Sequence, residues 1–418
     1  MLKILKNIEI RKRLLFTVFV IILFRILAHI PVPGVDTQMI RSYLEQSKIL
    51  GMLDLFSGGA FRNFSIVTLG VGPYINASII IQLLTMMIPS FEELSKEGEF
   101  GREKLNMYTK FLTVPLGFVQ AYGMYFLLSR QQHLLNFTDP FTILVFLLTL
   151  VGGTMLLTWI GDLVSEYGLG NGISILIFVG IISRLPTGLL GFVSSFSLSL
   201  LLPYVAFIIL SLLIIVGVVL VNEGVRNVPI EYGRRSNSSA KVTNYLPIKI
   251  NQAGVIPIIF AVSLASIPSL ISGPLQASSD SLLRTLGAFL GNTFNQESLP
   301  YNLVYFLLVF GFTYFYTSVQ FDPEKIAEDV KKRGGFIPGI RPGKSTSRYL
   351  KGVVSRLTFW GALFLGLIAV MPFMLGNVLN VRGLSIGGTG LLIVVSTVLD
   401  TLRQLDSLKV ARDYGSYL

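Results

Sequence analysis

The stretch GIRPGKST (Gly339 to Thr346) invites a phosphate-binding reading, because a glycine-rich turn ending in Lys-Ser/Thr can cradle phosphate oxygens with backbone N–H groups. That motif needs a glycine five residues before Gly343. Pro338 stands there, no strand is expected ahead of it, and the match fails. YGLGNG (Tyr167 to Gly172) is glycine-rich but joins two apolar runs, a poor place for a nucleotide. Asp162 and Glu166 are four apart, a spacing open to acid–base work, yet they fall at the end of an apolar run, where a solvated charge is the simpler role. Two histidines, His29 and His133, are too few and too scattered for a histidine metal site, and with no cysteine there is no disulfide, thiol nucleophile or cysteine-held metal. No catalytic constellation emerges. The chain reads as a non-enzyme without metal or cofactor, and any driving energy must come from a partner.

The elements around these residues explain why. Of 418 residues, 52% are hydrophobic and 14% charged, more apolar surface than a soluble domain of this length hides. Ten runs are long and apolar enough to cross a bilayer, near 14–30, 66–89, 111–129, 139–161, 172–192, 198–222, 253–272, 301–321, 357–376 and 384–403. Helices are expected, because an open strand would leave backbone groups unpaired in lipid. The first run follows Lys3, Lys6, Arg11, Lys12 and Arg13 but is followed by IPVPGVD rather than a cleavage site, so it reads as a retained span. With alternating sides, one side collects 26 of the 34 Lys and Arg residues and the other seven, with Arg25 inside the first run. The positive-inside rule then puts both termini in the cytosol. The net charge of +11 largely reflects this asymmetry rather than nucleic-acid binding, although basic loops attract RNA phosphate as well. The two long basic loops, 223–251 and 322–356, fall on the cytosolic side and look like a docking surface.

Two fragments repeat across the chain. GVGPYI (Gly70 to Ile75) opens the second run and GVIPII (Gly254 to Ile259) opens the seventh, 184 positions later. Ten runs divide into five and five, and an odd number per half forces opposite orientations, the inverted-repeat plan of many transport proteins. Residues 1–195 form the expected N-terminal half and 196–418 the C-terminal half. Ionisable groups are nearly absent from the runs. Asn76, Ser78, Gln82 and Thr85 are neutral, and interhelical hydrogen bonding is their simplest role. A small-solute transporter with inverted repeats stays open as the alternative, although it would need coupling charges inside its spans.

Several long, ordered blocks carry a resemblance: IPVPGVD (31–37), FSGGAFRNFSIVTLGVGPYINASIIIQLL (56–84), KEGEFGREKLNMYTK (96–110), GNGISILIF (170–178), NQAGVIPIIF (251–260), GFIPGIRPGKST (335–346) and GGTGLLIVVSTVLD (387–400). In these, from end to end, the chain resembles the SecY family of protein-conducting channels. The resemblance implies an all-α membrane protein with ten helices in two inverted halves. It implies a passive channel for unfolded secretory proteins, with a sideways gate to lipid between the second and seventh spans.

By that resemblance, the pore constriction maps onto Val71, Ile75, Ile173, Ile177, Ile259 and Ile393. A narrow aliphatic ring dewets and resists ions when unoccupied. The segment 49–63 matches a plug helix, carrying Leu53, Leu55, Phe56, Ser57, Gly58, Gly59 and Arg62, with Asn63 beside them in an aqueous funnel. The gate is expected to use Asn76, Gln82, Thr85 and Asn251, with Gln82 and Asn251 able to hydrogen-bond when it is shut. Arg234 and Arg235 in the first basic loop, and Arg341 and Lys344 in the second, are expected to receive the motor ATPase SecA or the ribosome. IEYGRR departs from the family's lysine-containing run in that first loop. SecE-like and SecG-like subunits, signal sequences, nascent chains and lipids complete the implied partners. A bacterial plasma membrane is the expected location, with the thylakoid membrane as the alternative.

Overall fold

The computed structural model describes residues 8–35, 60–61, 63–130, 139–183, 201–232, 244–276, 278, 280–295, 298–379 and 388–415. In chain order the elements are α1 (Ile8–Leu27), α2 (Gly72–Met87), α3 (Pro89–Lys96), α4 (Glu99–Arg130), α5 (Pro140–Tyr167), α6 (Gly172–Ile182) and α7 (Leu201–Glu223). There follow β1 (Val225–Tyr232), β2 (Asn244–Lys249), α8 (Ile256–Gln276), α9 (Ser281–Thr293), α10 (Leu299–Gln320), α11 (Pro323–Lys332), β3 (Gly335–Phe336), α12 (Lys344–Leu379) and α13 (Gly388–Gly415).

A helix falls on each of the ten apolar runs. Among the described residues, four helical stretches are long and apolar enough to cross a membrane: Pro140–Tyr167, Ile256–Gly273, Leu299–Lys332 and Lys344–Met371. A fifth is reached if α2 and α3 count as one span bent by 102°. Several prolines fall at helix starts, where the missing N–H costs nothing: Pro73, Pro89, Pro140 and Pro323 lie at the first or second helical position. The bend between α2 and α3 occurs at Ile88, which is extended and precedes Pro89.

The chain divides into two compact units. One comprises residues 1–197, 263–301 and 393–418. Within it α4 packs on α2 and α5, and α5 also packs on α1 and α6. Its core gathers Val32, Phe64, Ala121, Leu128, Phe146 and Leu150, with Phe64 stacked on Phe146 at 5.9 Å. Hydroxyls in these apolar helices satisfy themselves locally: Thr113 donates to Thr109 O, and Thr158 to Thr154 O. Each is a bond to the carbonyl one turn back, which hides the polar group without a partner helix.

The other unit comprises residues 198–262 and 302–392. It departs from the all-α expectation. The two segments read as basic docking loops fold into a small sheet of order β2-β1-β3, with β1 antiparallel to both neighbours. Val225 pairs with Lys249 and Ile230 with Asn244. The contact with β3 reaches only Glu231 and Tyr232, so Pro229 sits where β1 has an open edge on that side. Val228, Ile248, Ile337, Leu350 and Val354 form the core beneath, joined by Ile326 of α11. A continuous hydrophobic run would have announced these strands. Alternation such as Val228, Ile230 and Tyr232 favours a strand, but Pro229 and Pro247 cut the runs and make them read as loop.

Candidate functional site

The repeated Gly–Pro fragments are helix starts. Gly70 has φ +58° and Gly254 φ +65°, a left-handed conformation that glycine adopts freely. One residue follows, Val71 or Val255, each buried. The helix then begins at Gly72 or Ile256, with Pro73 or Pro257 as its second residue. The Ile75 N–H donates to Val71 O at 3.0 Å, and the Ile259 N–H to Val255 O at 3.3 Å. The expected runs from 66 and 253 therefore begin as helix only at 72 and 256. The same backbone path at the same offset makes Ile75 and Ile259 local equivalents.

Five of the six expected ring residues, Val71, Ile75, Ile177, Ile259 and Ile393, are buried, with Ile177 at 1% exposure, and the sixth, Ile173, is half-buried. By contrast Leu144, Leu148 and Val216 expose half of their surface or nearly so, the pattern of a lipid-facing side chain. Five of the six lie in the first unit and Ile259 in the second.

Within the first unit, the seat of Ile173 and Ile177 is set by glycine. A Cβ on Gly172 would lie 1.8 Å from the Gly161 carbonyl oxygen, and one on Gly161 would lie 2.7 Å from Ile173 Cδ1. These glycines let the start of α6 press against α5. Asn171 caps α6, accepting from the Ser174 N–H at 3.1 Å, and the Gly172 N–H donates to Ser165 Oγ at 2.9 Å. The Gly170 N–H donates to Gln404 of α13, the helix that carries Ile393. YGLGNG is thus a structural junction between two helices that carry expected ring residues. Thr17 and Arg13 of α1 brace the same turn: the Leu169 N–H donates to Thr17 Oγ1, and Arg13 donates to Gly168 O.

Of the expected gate residues, Asn76, Gln82 and Thr85 are half-buried on α2. Their hydrogen bonds stay in the helix: Gln82 Nε2 donates to Ser78 Oγ at 3.4 Å, and Thr85 Oγ1 to Gln82 O at 2.7 Å. Gln82 Oε1 is buried without a hydrogen-bond partner among the described residues. Asn251 lies outside the helix, buried in the turn ahead of α8. Its Oδ1 accepts from the Gly254 N–H at 3.0 Å, and its Nδ2 donates to Asn222 Oδ1 at 2.8 Å. The first bond closes the left-handed turn at Gly254 and the second ties it to α7, a use the sequence reading did not assign.

The plug residues Leu53, Leu55, Phe56, Ser57, Gly58, Gly59 and Arg62 lie outside the described residues, as do Arg234 and Arg235. The described end of the plug segment is firmly held: Ala60 and Phe61 are buried, and Phe61 meets Phe64 edge-on at 5.9 Å. Asn63 is half-buried and donates to Ala28 O at 3.2 Å. Arg341 and Lys344 are exposed beside the turn at Gly339 and Gly343, both with positive φ. The two-residue strand β3 does precede GIRPGKST, contrary to expectation, but Pro338 still occupies the position that phosphate binding reserves for glycine. Asp162 is not a free loop charge either: Lys110 Nζ reaches its Oδ2 at 2.6 Å from α4.

Comparison with known proteins matches the SecY family model over residues 65–402. The "Protein translocase subunit SecY" of Corynebacterium glutamicum is 42% identical over 443 residues, covering 99% of this chain and 98% of the relative. That of Thermus thermophilus is 41% identical over 430 residues, covering 98% and 95%. Among solved structures, "The structure of a protein conducting channel" superposes with TM-score 0.65 at 21% identity, covering 97% of this chain and 94% of that one. "Sec61 in the Canine ribosome-channel complex from the endoplasmic reticulum" gives TM-score 0.59 at 20% identity, with coverage of 97% and 94%.

Proposed function

This chain belongs to the SecY family, and from that premise we infer that it is the pore-forming subunit of a protein translocase. It passes unfolded secretory proteins across the membrane and releases hydrophobic segments sideways into lipid. The observation that carries the reading is similarity over nearly the whole length to subunits named for this activity. The burial of all the ring positions but the half-buried Ile173, and the matching backbone at Val71–Ile75 and Val255–Ile259, support it.

The proposed mechanism is passive. Ten spans in two inverted halves hold Val71, Ile75, Ile173, Ile177, Ile259 and Ile393 as an aliphatic gasket, and the 49–63 segment plugs it from the non-cytosolic side. Branched aliphatic groups offer no hydrogen bonds, so they hold back water and ions at rest and close around any extended chain in transit. A signal sequence enters between α2 and α8. Selection is thermodynamic: a central Leu contributes about −0.5 kcal/mol to insertion, and a central Arg costs about 2.5 to 3.5 kcal/mol. Apolar segments leave through the gate, and polar ones continue through the ring.

The sheet platform, with exposed Lys325, Lys331, Arg333, Arg341, Lys344 and Arg348, is the proposed cytosolic landing site for SecA or the ribosome. A SecE-like subunit, and a SecG-like one, complete the assembly in a bacterial plasma membrane with both termini in the cytosol. Co-reconstitution with a SecE-like subunit and SecA tests the reading. A precursor should enter the vesicles with ATP, and Ile75→Asn with Ile259→Asn should raise ion leak and admit precursors with defective signals. Absence of precursor uptake, or uptake of a small solute instead, would reverse the conclusion.

A further inference from the structure

Helix α9 divides into three faces. Gly287 and Gly291, four apart, press on the end of α8: a Cβ on Gly287 would lie 2.5 Å from the Gln276 backbone nitrogen, and one on Gly291 would lie 2.7 Å from Gln276 Nε2. The Gln276 side chain donates to Gly287 O at 3.0 Å, clamping the two helices. A second face carries Leu282, Leu286 and Phe289 at i, i+4 and i+7, and these are 75%, 53% and 62% exposed. The third face carries Ser281, Arg284, Thr285 and Asn292, all exposed and polar except for the Arg284 stem. At 13 residues α9 is too short to span a bilayer.

The position of the helix says what covers the apolar face. By length and composition the stretch of α8 able to cross a membrane is Ile256–Gly273, and α9 is clamped at Gln276, three residues beyond it. The exposed apolar residues of α8 nearest that end, Ile267 and Ile271, carry a lipid-facing surface up to it. A short helix there, with an exposed apolar face beside a polar one that carries Arg284, fits an interfacial segment, apolar side in the acyl boundary and polar side among the headgroups.

We propose that α9 docks on the bilayer surface through Leu282, Leu286 and Phe289, tying the end of α8 to the lipid interface. This rests on the membrane-channel reading for the level at which α8 ends. If α8 is a gate helix, its far end is anchored to lipid, and surface packing there loads the gate.

The absence of native cysteine makes a depth measurement direct. Leu286→Cys, Phe289→Cys and Thr285→Cys would each carry one environment-sensitive fluorophore, in protein reconstituted with its co-purifying subunits in phosphatidylcholine–phosphatidylglycerol vesicles. Nitroxide lipids placed shallow or deep, and aqueous iodide, serve as quenchers. Labels at 286 and 289 should lose more emission to the shallow nitroxide than to the deep one and be shielded from iodide, while the label at 285 should be quenched by iodide. Iodide quenching at 286 and 289 equal to that at 285 would overturn the proposal, as would shielding from all three quenchers, which would mean a protein partner covers the face. None of these readouts needs translocation, so failure of the channel reading would be separately visible in precursor uptake.

Discussion

Replacing Gly172 by alanine probes the seat of the ring most sharply. The new methyl would lie 1.8 Å from the Gly161 carbonyl oxygen, 2.7 Å from its carbon and 3.0 Å from its Cα. Carbon–oxygen contacts settle at about 3.3–3.6 Å, so the start of α6 must retreat by roughly 1.5 Å. The obstacle is α5 backbone, which cannot rotate aside. Overpacking of this kind costs about 1–3 kcal/mol, and the retreat also strains the bond from the Gly172 N–H to Ser165 Oγ and the Asn171 cap. A further loss of about 1 kcal/mol follows if the cap fails. Gly152→Ala on α5 is the matched control, because a Cβ there meets nothing within 4 Å. It should be neutral, or gain up to about 1 kcal/mol from helix propensity. Equilibrium unfolding in graded mixed micelles measures both. Because Ile173 and Ile177 ride on α6, the Gly172→Ala channel should also leak ions in the resting state, measured as vesicle conductance. Wild-type stability together with a wild-type resting seal would refute the claim that this glycine contact positions the ring.

Other perturbations follow from the same geometry. Asn251→Ala removes the 2.8 Å bond to Asn222 and the Gly254 turn bond, and should cost about 1–3 kcal/mol, read by equilibrium unfolding. The Lys110–Asp162 pair is about one-third exposed on each side, so a double-mutant cycle of Lys110→Met and Asp162→Asn should return a coupling near 1 kcal/mol, falling in high salt. Leu350→Ala empties a fully buried position under the sheet and should cost about 2–5 kcal/mol locally, read as faster amide exchange at Val228 and Ile248 with exchange in α5 unchanged.

Much of this molecule could be read before any coordinates. Apolar length placed a helix on every run, because lipid leaves the backbone few other options. The proposed ring rests on the resemblance alone: an isoleucine at 177 looks like any other in an apolar run, and periodicity cannot separate a pore face from a packed one. The Gly–Pro fragments were legible as openings of their runs, and the structure adds how each opens: a left-handed glycine, one buried valine, then a helix with proline at its second position. The sheet stayed hidden because β1 and β2 are short, carry Pro229 and Pro247, and pair across an intervening segment. Asp162 looked solvated because its partner, Lys110, lies 52 positions earlier on another helix. Helix α9 drew no reading because, at 13 residues, it falls short of a membrane span.

Disulfide crosslinking of a stalled secretory chain to single cysteines tests the central claim most directly, in a chain with no cysteine of its own. With a cysteine in the translocating segment, Val71→Cys, Ile75→Cys, Ile177→Cys, Ile259→Cys and Ile393→Cys should each capture it, while the exposed positions Leu148→Cys and Val216→Cys should not. Capture at 148 and 216, with none at the five buried positions, would contradict a path through the aliphatic ring.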